Sequence, residues 1–373
     1  MISFARTDHS ILGRWWWTVD RWTLAAIVAI SVIGVVLIQA ASPAVADRIG
    51  LSTFHFIEKH LVVLLPGLAI MVVVSLLSPR GVRRLALGLF LVSLVGVFLT
   101  LFIGTEIKGA TRWIHIGTSI QPSEFLKPAF AVVAAWLFSL HRNQENFPGI
   151  PVVCGLYALI VLLLMSQPDL GQTFVITSVF AGQFFLAGLP ILLVAGVVVA
   201  GIGGLVGAYF MFSHVQSRID RFLDPAAGDN YQVARALEAF KHGGLWGTGP
   251  GQGTVKMTIP DSHADFIFAV AGEELGLVVC TLILLLFAFV VLRCFMRAFN
   301  DQSLFVVLAA SGLTMQFGLQ SIVNMGSTLH LIPTKGMTLP FISYGGSSLI
   351  ALGIGMGMLL ALTRKRFGPG EGA

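Results

Sequence analysis

Three carboxylates stand within one short stretch, HADFIFAVAGEELG, residues 263–276. Asp265 precedes an apolar run, Phe266 to Ala271, and Glu273 and Glu274 follow it. Acids inside a membrane span cost roughly 2.5–3.5 kcal/mol each at the bilayer centre, so those that persist usually have a job. A carboxylate where a span begins, at the outer interface, stays ionised beside the positive end of a helix dipole. Asp265 is therefore either a simple helix cap or a general base at a membrane-surface cleft. On a continuous helix Glu273 would lie about 80° around and ~12 Å deeper, and Glu274 about 180° around. Neither makes a close acid–base dyad with Asp265. Each is expected to meet a cation on a neighbouring span.

The candidate cations and polar partners come from four other stretches. QPSEFLKPAF offers Lys127, with Glu124 three residues before it, a helix-neighbour spacing, and Ser123 as a cap. Lys127 either pairs with Glu124 or snorkels outward, or it faces a cavity and meets a phosphate or Glu273. KGATRWIHIG sets Lys108 and Arg112 beside Trp113. A guanidinium fork suits phosphate and an indole suits a sugar face or headgroup; an interfacial anchor is the plainer reading. SQPDLGQ puts Asp169 and Gln172 between two apolar runs, where a polar turn would also explain them. PTKGMTLPFISYGGSS, residues 333–348, holds Lys335, Ser343 and Tyr344 among prolines and glycines. Irregular backbone at membrane depth is tolerated only where protein or water covers it, which suggests a cavity lining or a re-entrant loop.

Two patterns lead nowhere. GGLWGTGPGQG lacks the G-K-[ST] of a nucleotide-binding loop. Asp261, His263 and Asp265 alternate as metal ligands can, but the pattern is weak, and His263 reads as a loop residue.

Composition fixes the scaffold. Of 373 residues, 56% are hydrophobic and 11% charged, against roughly 25% charged in a soluble domain. The chain reads as a single all-α, polytopic integral membrane domain. Its 41 glycines suit packed membrane helices, where small residues let backbones approach. The net charge of +5 is scattered over loops and forms no nucleic-acid stripe. Cys154, Cys280 and Cys294 sit in or at the ends of apolar segments and read as buried small hydrophobes. Residues 22–41 followed by SPAVADR resemble a signal peptide, but the run is long enough to span and more spans follow.

Apolar runs able to cross a ~30 Å core fall near 22–41, 61–78, 85–103, 123–140, 151–166, 171–189, 190–211, 266–292, 303–323 and 348–363. Ten spans place both termini on one side, with Leu189-Pro190 opening a tight turn. Arg6, Arg14, Arg21, Arg80, Arg83, Arg84, Arg142, Arg293, Arg297, Arg364, Lys365 and Arg366 crowd the short segments on that side, which makes it cytoplasmic. Residues 1–21 and 364–373 are then cytoplasmic. The outer side carries loops 42–60, 104–120, 212–265 and 324–347. The third is the large one. Within it YQVARALEAF repeats Val233, Leu237 and Phe240 at helical spacing.

KGATRWIHIG, QPSEFLKPAF, QPDLGQT, FLDP…YQ…GGLWGTGPG, HADFIFAVAGEELG and PTKGMTLPFISYGGSS occur in this order over nearly all of residues 20–365. Together they resemble the SEDS family of bacterial cell-wall polymerases. The lysine of PTKGMTLPF and the KGATRWI loop resemble the cell-division member more than the elongation member. YQVARALEAF and SHAD depart from the family's commoner forms. The resemblance implies a peptidoglycan glycosyltransferase that polymerises lipid II at the outer face of the inner membrane, at the division septum. It implies that Asp265 is the catalytic residue. It also implies a class B penicillin-binding protein as the crosslinking partner, beside other division membrane proteins.

On that reading Asp265 takes a proton from the acceptor's sugar hydroxyl, whose oxygen attacks the donor's anomeric carbon with inversion. Undecaprenyl pyrophosphate leaves. Arg112, Lys127 and Lys335 are the cations expected to offset its charge. No cofactor is expected beyond a divalent cation, Mg2+ or Mn2+, carried by the pyrophosphate. A lipid II flippase is the rival, since many spans and buried ions suit transport, though no symmetric halves are visible. A scaffold that only recruits the transpeptidase is a third reading.

Overall fold

The computed structural model describes residues 10–107, 110–144, 147–188, 191–211, 213–223, 231–333 and 336–365. The elements in order are α1 (Ile11–Thr18), α2 (Arg21–Ala46), α3 (His55–Ser75), α4 (Pro79–Ile103), β1 (Thr105–Ile107), β2 (Ala110–Ile116) and β3 (Thr118–Ile120). They continue with α5 (Pro122–Asn143), α6 (Gly149–Ser166), α7 (Leu170–Leu186), α8 (Ile191–Met211), α9 (Ser213–Leu223) and α10 (Tyr231–Gly243). Last come α11 (Ile267–Phe299), α12 (Leu304–Thr328) and α13 (Gly346–Leu362). Among the described residues seven helices, α2 to α6, α11 and α12, are long and apolar enough to cross a membrane. The 17-residue α7 and α13 are apolar but shorter, and α8 is apolar along its length. Each expected apolar run overlaps one of these helices, although those expected at 61–78 and 171–189 run past the ends of α3 and α7. The turn expected at Leu189-Pro190 lies outside the described residues.

Burial separates the inner helices from those that face lipid. The most apolar stretch of α5 is 83% buried and that of α12 72%, against 28% in α4. Val92, Val95, Phe98 and Phe102 of α4 are exposed, as a bilayer-facing helix requires. Polar residues on α5 and α12 are therefore enclosed by protein. α13 packs against α3 through glycine: a Cβ on Gly353 would lie 2.3 Å from the Gly67 carbonyl oxygen. Cys280 and Cys294 are buried and Cys154 half-buried, all three as free thiols.

Three departures from the apolar pattern matter for function. β1, β2 and β3 form a small antiparallel sheet in that order, with Gly117 at φ 72° in the β2–β3 turn. α12 runs past its apolar stretch to Thr328, because Gln320, Asn324, Ser327 and Thr328 are buried and hydrogen-bonded. The third departure is in α11. It is broken at Gly276, whose φ of 76° and ψ of 179° no helix contains. The piece before the break, from Ile267 to Glu274, is wholly buried. The piece after it exposes Leu277, Val278, Leu282 and Leu285.

The break is paired on both sides. Leu277 and Val278 N–H groups donate to the Gly244 and Leu245 carbonyls at 3.0 and 3.2 Å. Thr248 and Gly249 N–H groups donate to the Glu273 and Glu274 carbonyls at 2.9 and 3.0 Å. The glycine-rich stretch after α10 thus supplies the partners that a helix interruption inside lipid requires. Only glycine fits here, since a Cβ on Gly276 would lie 2.4 Å from Gly247 N and Leu245 O. The expected helix in YQVARALEAF is α10, with Val233, Ala236 and Ala239 buried on its inner face.

The first and last described segments meet at one end of the bundle. Lys365 N–H donates to the Thr18 carbonyl at 3.0 Å, and Arg364 Nε to Thr18 Oγ1 at 3.0 Å. The sheet, the 243–266 segment and the 336–345 segment lie at the other end.

Candidate functional site

Asp265 lies in a turn just before α11, half-buried. It is not the helix cap: Phe266 holds that position and makes no side-chain capping bond. The turn is fastened from two sides. Ser343 Oγ donates to the Ala264 carbonyl at 2.7 Å, and Tyr344 N–H to the His263 carbonyl at 3.0 Å. Asn324 Nδ2 on α12 donates to the Asp265 carbonyl at 3.1 Å and to the Met337 carbonyl at 2.6 Å. The main chain of Asp265 is thus fixed to α12 and to the irregular 336–345 segment. Its carboxylate faces the bare α-carbon of Gly336, where an added Cβ would lie 3.1 Å from Oδ2. Asp261 and Phe341, one on each loop, have φ of 52° and 60°. Such backbone costs on the order of 1–3 kcal/mol per residue and persists where surrounding contacts hold it.

His263 packs between Phe56, at 4.2 Å between ring centroids, and Tyr344, at 5.4 Å, with both ring pairs tilted. Burial pushes its pKa down to about 4, so the ring is neutral at pH 7. It is a packed loop residue, as its sequence setting suggests. Ser343 and Tyr344 hold the turn by hydrogen bond and ring packing.

A second cluster crosses the bundle behind the turn. Lys127 Nζ on α5 bonds Glu124 Oε2 at 3.0 Å and Gln320 Oε1 on α12 at 3.2 Å. Glu124 also accepts from Gln172 on α7. Asp169, the cap of α7, accepts from Gln172 N–H at 3.3 Å and lies 3.6 Å from Arg112 Nε. Gln320 Nε2 donates to the Thr338 carbonyl at 3.1 Å, and Asn324 one turn further reaches Asp265. Polar contacts thus link β2, α5 and α7 to α12, and α12 in turn holds the Asp265 main chain through Asn324. Lys127 is 3% exposed and Glu124 7%. Enclosed ions of this kind persist only when paired and hydrogen-bonded.

Several expectations are corrected by this geometry. Lys127 does not meet Glu273; it pairs with Glu124, the nearer acid on its own helix. Glu274 pairs instead with Lys256, whose Nζ also donates to the Ala40 carbonyl on α2 at 2.9 Å. Glu273 accepts N–H bonds from Thr254, Val255 and Lys256, each at 2.7 Å, and approaches His242 at 3.0 Å. The two glutamates end the buried piece of α11 before Gly276, where residues 254–256 take them up, away from the Asp265 carboxylate. Arg112 donates to the Pro168 carbonyl at 2.6 Å and so ties the sheet to the α6–α7 turn. Arg112 is the extra residue where β2 bulges opposite Thr105 and Glu106, and its guanidinium is taken up by the α6–α7 turn. Lys108 and Lys335 lie outside the described residues.

Sequence reading missed Lys256, Gln320, Asn324 and His242. Only Lys256 gave any signal, as a lone cation closing the glycine-rich stretch. The others are ordinary polar residues until the fold brings their partners to them.

The likenesses to known proteins agree with this arrangement. The profile of the cell cycle protein family of FtsW, RodA and SpoVE matches residues 21–367. A Caulobacter vibrioides protein named "Probable peptidoglycan glycosyltransferase FtsW" is 45% identical over 368 residues, covering 98% of this chain and 94% of its own. One of the same name from Hydrogenovibrio crunogenus is 33% identical, covering 92% and 91%. Among solved structures, a chain of a peptidoglycan synthase complex that coordinates polymerization and crosslinking superposes with a TM-score of 0.75 at 28% identity, covering 92% and 97%. The rod shape determining protein RodA of Thermus thermophilus superposes at 0.70 and 28%, covering 93% and 97%. With a profile match over most of its length and a relative at 45% identity, this chain belongs to the FtsW, RodA and SpoVE family.

Proposed function

We propose that the chain is a peptidoglycan glycosyltransferase that polymerises lipid II, with Asp265 as its general base. The observation that carries this is the placement of Asp265. It is half-buried, its main chain is fixed by Asn324, and its carboxylate is set against Gly336 at the bundle end away from the termini. The relatives named above share this family and are named for this activity.

Asp265 accepts the proton of the acceptor's sugar hydroxyl. The freed oxygen bonds the donor's anomeric carbon, and the bond to pyrophosphate breaks with its electron pair leaving on undecaprenyl pyrophosphate. Attack from the face opposite the leaving group inverts that carbon. A positioned base contributes typically 10²–10⁴-fold. The leaving charge needs cations. Arg112 and Lys127 are already engaged within the protein, so Lys335, next in sequence to Gly336, is the first candidate. Mg2+ or Mn2+ travels with the pyrophosphate as part of the substrate. Among the described residues no group of three or more His, Cys, Asp or Glu side chains is placed to hold a metal.

The basic end, with Arg293, Arg297 and Arg364 beside Thr18, is cytoplasmic by the positive-inside rule. The Asp265 end is then periplasmic, in the inner membrane, where lipid II presents its sugars. The partner is a class B penicillin-binding protein at the septum, with other division membrane proteins. The structural neighbour from a complex that coordinates polymerization and crosslinking supports such a pairing.

Lipid II incubated with the purified protein and its transpeptidase partner tests the reading. Wild type is expected to build glycan strands and Asp265→Ala none. Movement of fluorescent lipid II across liposomes by a protein that never polymerises it would favour a flippase instead.

A further inference from the structure

At the bundle end opposite Asp265, a cavity of about 200 Å³ opens between the α1–α2 junction, the last turns of α11 and the C-terminal segment. Four cations wall it, Arg21, Arg293, Arg297 and Lys365, with one carboxylate, Asp20. Asp20 is 1% exposed and already spent. Its oxygens take Arg293 Nε at 2.6 Å, Arg293 Nη2 at 2.8 Å and Arg297 Nε at 2.8 Å, besides Thr23 Oγ1 at 2.9 Å. Burial raises its pKa, but the Arg293 and Thr23 hydrogen bonds and both arginine charges outweigh that and hold it below the usual carboxylate value.

The positive charge therefore exceeds what the walls neutralise. Among the described residues, Arg21 and Lys365 form no ion pair, and both are exposed. The Arg21 guanidinium is steadied over the Trp16 and Trp17 rings, at 5.7 and 5.3 Å from their centroids. A cluster of cations around a recess this size suits a small anion of high charge. Arginine forks match phosphate oxygens in particular.

The surroundings indicate where the phosphate comes from. Trp22, 68% exposed at the first turn of α2, sits as an interfacial indole does. Leu292, Met296 and Phe299 of α11 are exposed along the helix that leads up to the arginines, giving acyl chains an apolar surface. We propose that this cavity binds a phosphate group supplied by the headgroup of an anionic phospholipid. It would clamp α1, α2, α11 and the C-terminal segment together on the leaflet opposite the glycosyl-transfer site.

The test uses the full-length protein, delipidated in detergent and titrated separately with phosphatidylglycerol, phosphatidylcholine and inorganic phosphate. Native mass spectrometry follows lipid retention, and melting temperature follows phosphate. Phosphatidylglycerol is expected to bind more tightly than phosphatidylcholine at low salt and to weaken as salt rises. Arg21→Gln/Lys365→Gln, which leaves the Asp20 ion pairs intact, is expected to weaken phosphatidylglycerol binding about 30-fold. Phosphatidylglycerol bound without any effect of inorganic phosphate identifies a lipid site. Competition by inorganic phosphate identifies a site for phosphate from either source, which also supports the assignment. The proposal is overturned if phosphatidylglycerol binds no better than phosphatidylcholine. It is overturned equally if the double variant, with wild-type helicity, binds as wild type does. Should that variant not fold, salt-insensitive lipid binding by the wild-type protein refutes it.

Discussion

Replacing Lys256 with methionine isolates the joint on which the Asp265 turn is built. Lys256 is 4% exposed and Glu274 2%, so their ion pair has almost no solvent screening. Methionine keeps the length and removes the charge, leaving Glu274 buried and unpaired. Removing one partner of a buried pair typically costs about 3–5 kcal/mol. The Lys256 bond to the Ala40 carbonyl is lost with it, at about 1–3 kcal/mol for a buried acceptor left unmet. Glu274→Gln costs a similar amount by stranding the ammonium. The double variant Lys256→Met/Glu274→Gln strands neither charge, so its cost should fall well short of the sum, with a coupling of roughly 2 kcal/mol or more. Tryptophan-fluorescence melts of the four proteins in one detergent measure this, with each single variant expected to melt on the order of 5–10 °C lower. Lipid II polymerisation should fall in the single variants and recover in part in the double. Additive melting shifts, or a Lys256→Met protein as stable as wild type, would refute the buried-pair argument.

Three further outcomes follow from the same geometry. Burial takes the His263 pKa from 6.5 to about 4, so the folded state prefers the neutral ring. That contribution, up to about 3 kcal/mol, is fully present above pH 6.5 and is lost as pH falls towards 4. His263→Phe should therefore flatten the dependence of melting temperature on pH between 6.5 and 4, and an unchanged slope would count against it. Gly276→Ala must place a Cβ 2.4 Å from two backbone atoms at φ 76°, so faster proteolysis of the 243–256 segment is expected. Gln320→Leu leaves Lys127 and Thr338 without that partner. A loss of about 1–3 kcal/mol in melting free energy is expected, with lower polymerisation and no change at Asp265 itself.

The helices were legible because lipid demands apolar runs of fixed length, and each such run became a helix. Lys127 with Glu124 was legible as well, since three residues along a helix make neighbours. The break at Gly276 was not, because an isolated glycine leading into a long apolar run reads as ordinary helix, and its partners come from residues 243–249. Glu273 and Glu274 were expected to meet cations on neighbouring spans, but their partners come from the loop residues 254–256, which no helical spacing records. Gln320 and Asn324 were hidden for another reason. Their roles depend on which helix faces them, and nothing local records that α12 stands against the 336–345 segment. Residues 104–120 looked like a loop because the strands are short and mixed in polarity.

The central claim is that the Asp265 carboxylate accepts the hydroxyl proton, and Asp265→Asn tests it most directly, because it keeps the shape and removes the base. The rate of lipid II polymerisation should fall about 10²–10⁴-fold while the melting temperature stays at the wild-type value. An Asp265→Asn protein that elongates glycan strands at the wild-type rate would contradict the account.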